Sequence, residues 1–232
     1  MSAINVLSGG AAQGLVAQLA ERFKAQTGFG IEGAFGAVGV MADKLRGGTP
    51  ADLIILTRAL VTKLADEGLV MSASIADVGT VETALAVRAG DPRVTVRTDS
   101  DLRQVLRAAD AIFVPDTKAS TAGIHVAKVL EQIGIGDEVA SRLKIFPNGA
   151  TAMRQLAESS ARQPIGCTQA TEILATPGIA LSGSLPPGCE LATMYTAGVA
   201  TRAANAREAR VLIDLLTGAA QTELRQRVGF AG

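Results

Sequence analysis

Any chemistry in this 232-residue chain would come from a few small or polar residues set where apolar runs end. Ser8-Gly9-Gly10 follow INVL, Ala37-Val38 follow GIEGAFG, and Thr57-Arg58 follow DLIIL. Further on, Lys118, Ser120 and Thr121 lead into a helical stretch, Asn148-Gly149 into another, and Thr168-Gln169 close PIGC with Glu172 one turn later. Such junctions suit anions: glycine lets a ligand approach the backbone, and the helix start that follows offers outward N–H groups. Arg58 carries the planar fork that grips a carboxylate; the alternative is a solvated arginine in a first helical turn. Ser8 reads as an N-cap, alone or while also bonding a ligand. Ser120, Thr121 and Asn148 read either as caps or as ligand contacts, and Glu172 either as a capping-box partner or as a buried carboxylate.

Proton abstraction next to a carboxylate would need a base within about 3 Å of the carbon-bound proton. Ser8, Glu172 or His125 would have to serve as that base, with Arg58 stabilising the enediolate-like charge, and none stands in a recognisable triad. His125 is the single histidine, and it sits among Val126, Val129, Leu130 and Ile133, so it reads first as a helical residue beside a packing face. With no second His or Cys nearby, no metal site is expected. The chain has no GxGxxG, GKS or GKT motif, so the first glycine turn is not a nucleotide loop, and no cofactor is expected.

These residues need elements to hold them, and the pattern supplies strands alternating with helices. INVL leads to a helix from about Gln13 to Gln26 with Leu15, Leu19 and Phe23 on one stripe. GIEGAF leads to a helix carrying Met41 and Leu45, stopped by Gly47-Gly48, and DLIIL to one carrying Leu60, Val61 and Leu64, stopped by Gly68. Such alternation marks a mostly parallel sheet flanked by helices. After Gly79 the texture changes. VETALAVRAG (81–90) reads as a longer strand crossing into a second lobe, which holds a helix at 101–109, a strand at 111–114, a helix at 123–133, the run KIFPNG (144–149) leading into a helix through Met153 and Leu156, and the strand–helix pair PIGCTQATEIL. ELATMYTAGVA (190–200) carries the chain back, with Tyr195 either in the core or lending its hydroxyl to a ligand, and helices at 206–216 and 222–227 end it. Lobe 1 is expected over 1–80 plus 196–232 and lobe 2 over 81–195, joined by strands near 79–84 and 191–197.

Composition narrows the partners. Apolar residues are 48% and charged residues 19%, enough apolar content for an ample core and too little charge for long disorder. Aromatics are only 3%, without tryptophan, which argues against the stacking platforms of sugar or single-strand sites. Lys plus Arg equals Asp plus Glu at 22 each, and no basic run occurs, so no nucleic acid partner is expected. No stretch offers eighteen uninterrupted apolar residues, so no membrane insertion is expected. MSAINVLSGG carries no leader pattern; the expectation is a cytoplasmic protein as written, or a periplasmic one if a leader was removed. Cys167 and Cys189 read as free core thiols.

Taken in order, VLSGGAAQGLVAQLAERFKAQTG, FGAVGVMADKLRGGTPADLIILTRALVTKLADEGLV, KASTAGIHVAKVLEQIGI, PIGCTQATEILATPGIALSGSLPPG and LIDLLTGAAQTELRQRVGF resemble the type II periplasmic binding proteins, in the branch related to molybdate-binding proteins. That resemblance implies an α/β fold of two lobes, each a mixed sheet flanked by helices, with the ligand cleft between them. It puts Ser8-Gly9 at the family's first anion-contacting turn and Ala37-Val38 at the second, where molybdate binders usually show a serine. The Cys167-Thr168 position, where those proteins commonly carry tyrosine, lacks it too. An oxyanion that loses a hydroxyl partner loses about 1–3 kcal/mol, so both departures point away from molybdate or tungstate, which stay as the lesser alternative. The branch is also similar to aconitate isomerase, which moves a proton and a double bond in a tricarboxylate.

The function expected from all this is binding of a small anion, a di- or tricarboxylate, by Ser8, Gly9, Ala37, Val38, Thr57, Arg58, Lys118, Ser120, Thr121, Asn148, Thr168 and Gln169. The alternative is a cytosolic isomerase working by proton abstraction on an unsaturated carboxylate. The partners implied are the small anionic ligand and, if the protein is exported, an ABC permease; the chain itself is expected as a monomer or weak dimer.

Overall fold

The structure, a computed structural model, describes residues 2–231. The chain divides into two compact units, Met1–Val81 with Met194–Gly232, and Glu82–Thr193.

The first unit opens with three strand–helix pairs. Strand β1 (Ala3–Gly9) gives way through a short 3-10 turn at Gly10–Ala12 to helix α1 (Gln13–Thr27). Leu15, Val16, Leu19 and Phe23 form the buried stripe of α1, and Gly28, in the left-handed region at φ 77°, ends it. Strand β2 (Gly30–Gly36) precedes α2 (Val38–Arg46), which buries Met41, Ala42 and Leu45. Strand β3 (Leu53–Thr57) precedes α3 (Arg58–Asp66), whose cap is the Thr57 hydroxyl, accepting from Leu60 N at 3.4 Å. The first four residues of β3 are wholly buried, as a central strand's should be when it is covered on both faces.

Strand β4 (Ala76–Arg88) carries the chain into the second unit. There α4 (Asp99–Ala108) starts at a capping box between Thr98 and Asp101. It is followed by β5 (Ala111–Pro115), α5 (Thr121–Gln132), the short α6 (Gly136–Val139), β6 (Leu143–Phe146), α7 (Gly149–Ala157), β7 (Pro164–Gln169), α8 (Ala170–Leu174) and β8 (Ile179–Ser184). Strand β9 (Ala192–Val199) returns to the first unit, which closes with α9 (Ala206–Thr217) and α10 (Thr222–Arg227).

In the first unit the strand order is β2-β1-β3-β9, with β1, β2 and β3 parallel and β9 antiparallel to β3. In the second unit β5 pairs in parallel with β6 and β7, and β4 pairs antiparallel with β7 and β8. The second unit's core gathers Leu85, Leu102, Ile112, Val126, Leu130 and Ile165. The alternation of strand and helix expected from the sequence is present. Two elements were not expected, α6 and β8, and β4 begins at Ala76 rather than near Val81.

The segment GGTPAD holds the first sheet together. Asp52 is buried, accepting from Asn5 N at 2.8 Å and from Asn205 N at 2.7 Å. One carboxylate thereby ties β1, the start of β3 and the lead into α9, and its buried charge is answered by backbone donors.

Candidate functional site

Register decides what the first unit brings together. Ser8 pairs with Phe35 and with Ile55, and Gly9 with Gly36, so three parallel strands end at one edge. Ser8-Gly9, Ala37-Val38 and Thr57-Arg58 follow one another along that edge, and antiparallel β9 adds Tyr195 opposite Thr57. Close approach makes the glycine necessary: a Cβ on Gly9 would stand 2.8 Å from Val38 Cγ1 and 3.0 Å from Tyr195 Cε1. Neither the 3-10 turn after Ser8-Gly9 nor the start of α2 at Ala37 has a side-chain cap, and neither has an acidic residue in its first turn. Ser8 is therefore not a cap; it is fully buried and its hydroxyl donates to the Gly9 carbonyl at 2.9 Å. Such an edge offers backbone N–H groups and helix-start polarity, and it puts no side-chain carboxylate in the first turn of α2.

Arg58 stands at this edge but is already engaged. Its guanidinium pairs with Asp77, with Nε donating to Oδ1 at 3.0 Å, and Asp77 also accepts from the Thr196 hydroxyl at 2.7 Å. More than half of the Arg58 side chain is exposed. Asp77 escaped the sequence reading, because nothing about a lone aspartate at a strand start announces a partner nineteen residues away.

The second unit gathers the ends of β5, β6 and β7 in the same way, since Pro115 pairs with Phe146 and Phe113 with Gly166. At the start of α7 the donors are consumed from within. Asn148 caps α7, its side chain accepting from Thr151 N at 2.8 Å. The buried Glu172 carboxylate accepts the Thr168 hydroxyl at 2.6 Å and is also approached by the backbone N–H groups of Ala150, Gln169 and Gly149. Burial pushes the Glu172 carboxyl above the usual carboxylate range, while those hydrogen bonds pull it back. Gly149 must be glycine here, because a Cβ would overlap Glu172 Oε2 and Thr168 Oγ1. Of the two readings of Glu172, the buried carboxylate is the one found.

Around the loop before α5, Asp116 Oδ1 accepts from Lys118 N at 2.7 Å and Ala119 N at 2.9 Å. Lys118 is exposed, Ser120 is buried at the N-cap position without a side-chain cap bond, and Thr121 opens the helix. His125 is half-buried and meets the Cys189 carbonyl at 2.8 Å; a carbonyl only accepts, so Nε2 carries the proton. That bond ties the histidine to the second unit's own backbone. Burial pushes the Cys167 thiol up to about 12, so it is a packing residue rather than a nucleophile.

The Gln169 carboxamide contrasts with the engaged Asn148 and Glu172 side chains. It is 3% exposed, and neither its Nε2 nor its Oε1 has a hydrogen-bond partner. Thr83, its register partner on β4, and Thr171 are also buried with unpartnered hydroxyls. Sequence reasoning singled out Gln169 but neither threonine, since threonine in a strand or a first helical turn is ordinary. Buried polar groups are nearly always bonded, so a carboxamide and two hydroxyls without protein partners set this segment apart.

Two grooves lie away from these edges. One of about 390 Å³ is lined by Val87, Val94, Val105, Arg162 and Ile165 in the second unit, and one of about 330 Å³ by Arg46, Thr49, Glu67 and Arg202 in the first. Neither contains a residue of the strand-end clusters, and size alone does not make them sites. Among the described residues, no group of three or more His, Cys, Asp or Glu could hold a metal ion, and no helix is long and apolar enough to cross a membrane.

The sequence profile of the bacterial extracellular solute-binding proteins matches residues 4–231. The chain belongs to that family. The family's description is extracellular, which agrees with the periplasmic alternative rather than the cytoplasmic expectation. Among solved structures, this solute-binding protein is similar to the periplasmic molybdate-binding protein of Azotobacter vinelandii, with a TM-score of 0.82 at 18% identity over 99% of each chain. It is also similar to the sulfate-binding protein SubI of Mycobacterium tuberculosis, with a TM-score of 0.75 at 18% identity, covering 99% of this chain and 86% of the other. Both likenesses speak for the two-lobed periplasmic binding protein fold. A curated relative, the aconitate isomerase of a Pseudomonas species, is 24% identical over 225 residues, 93% of this chain and 82% of that protein.

Proposed function

We propose that this solute-binding protein binds a small organic anion, a di- or tricarboxylate, through the strand-end clusters of its units. The observation that carries the reading is the register that aligns Ser8-Gly9, Ala37-Val38 and Thr57 at one edge, with two turns that no side chain caps. Those turns supply backbone donors for negative charge. Ala37 brings no hydroxyl to a tetrahedral oxyanion, which supports an organic acid over molybdate, and the relative named for aconitate is matched over most of the chain. Arg58 joins the site by exchanging part of its pairing with Asp77 for a ligand carboxylate. The bound acid would then pass to a membrane permease.

Calorimetric titration with citrate, cis-aconitate, trans-aconitate, molybdate and sulfate tests this. Saturable binding of at least one tricarboxylate, with molybdate and sulfate weaker, is expected; tight molybdate binding with no heat from the organic acids would overturn it. The aconitate isomerase relative favours a second reading, turnover rather than binding alone. Interconversion of the aconitates, followed by ultraviolet absorbance and abolished by Arg58→Ala, would establish it; unchanged spectra at high protein concentration would exclude it.

A further inference from the structure

This inference rests on the organic-anion reading and narrows it. At the end of β7, the second unit leaves a carboxamide and two hydroxyls without protein partners: Gln169, Thr83 and Thr171. The α7 donors that would suit a bare oxyanion are turned toward Glu172 and Asn148. A carboxamide and a hydroxyl can each both donate and accept. A fully deprotonated tetrahedral anion brings acceptors only; it would answer Gln169 Nε2 and the threonine protons, and leave Gln169 Oε1 a buried carbonyl without a donor. That is the costly half of a hydrogen bond. An acid with a hydroxyl next to its carboxylate brings both halves.

We propose that Gln169, with Thr83 beside it, selects a hydroxylated carboxylic acid over the same carbon skeleton without the hydroxyl. The ligand hydroxyl donates to Gln169 Oε1, and its carboxylate accepts from Nε2. Thr83 either donates to that carboxylate or accepts from the hydroxyl. Neither Gln169 atom has appreciable exposed surface, so the neighbours of Gln169 shift when the ligand enters. Discrimination by such a group is strong because a rejected analogue leaves the site's polar atoms unpaired.

Matched pairs test it on the full chain by calorimetry: citrate against tricarballylate, and malate against succinate. The hydroxylated member of at least one pair is expected to bind about tenfold tighter or more. In Gln169→Met, which keeps the length and loses both polar atoms, that ratio falls to within about threefold, while a thermal melt confirms the fold. Should Gln169→Met fail to fold, Thr83→Val must lower the ratio at least about threefold. Equal binding within both pairs, or a ratio that survives in the variants, overturns the selectivity while leaving the organic-anion reading standing. If none of the four acids binds, the selectivity falls, and the organic-anion reading falls with it only when the aconitates also fail to bind.

Discussion

The two units place the same kind of strand-to-helix junction at the ends of parallel strands, and the start of α7 differs from the turns after Ser8-Gly9 and at Ala37. In the first unit the junctions are small, Ser8-Gly9 and Ala37-Val38, and no side chain caps the turns that follow. In the second, Asn148 and Glu172 fill the start of α7, while α5 starts at Ser120 without a side-chain cap. An anion site can thus be made by leaving donors open, or a comparable junction can be closed by an internal carboxylate. What is then left for a ligand is a neutral amide flanked by hydroxyls. Under the proposal, the first unit offers donors to negative charge and Gln169 offers a hydrogen-bond pattern.

The largest effect that would break this contrast is at Gly149. Replacement by Ala drives a methyl into the buried Glu172–Thr168 pair and is expected to cost about 3 kcal/mol of stability in urea unfolding. A neutral substitution would mean that the internal carboxylate is not packed as described. Next comes Glu172. Its folded carboxyl titrates higher than an unfolded one, so its contribution is fully present below the ordinary carboxylate pKa and is lost as pH rises through the raised folded value. Unfolding measured across that window should show wild-type stability declining with pH relative to Glu172→Gln, which lacks the titration; parallel curves would contradict the burial.

The open unit responds differently. Gly9→Ala brings a methyl within 3 Å of Val38 and should cost about 1–2 kcal/mol of stability as well as ligand affinity. Arg58→Ala removes an ion pair that is more than a third exposed on both sides, so no more than about 0.5 kcal/mol of stability should go with it. A larger loss in urea unfolding would make Arg58 structural; a loss of affinity alone fits a ligand grip.

The fold was legible in the sequence because parallel strands such as LIIL are uninterrupted apolar runs and their helices carry clear stripes. Strand β8 was not legible, since IALSGS is short, half-exposed and rich in Ser and Gly. The early start of β4 was hidden for a similar reason, in the polar text ADVGT. At the site, Ser8, Ala37 and Gln169 could be named from their places after strands. That the Glu172 carboxylate meets the start of α7, that Asp77 holds Arg58, and that Thr83 lies opposite Gln169 all depend on long-range register. No local pattern carries that information.

The central claim, that each strand-end cluster contributes to binding an organic anion, is tested most directly by titrating citrate into the wild type, Ser8→Ala and Gln169→Met side by side by calorimetry. Saturable wild-type binding is expected, about fivefold weaker in Ser8→Ala and about tenfold or more weaker in Gln169→Met, with the melting temperatures of both variants close to wild type. Wild-type affinity in both folded variants, or citrate inert where molybdate binds tightly, would contradict it.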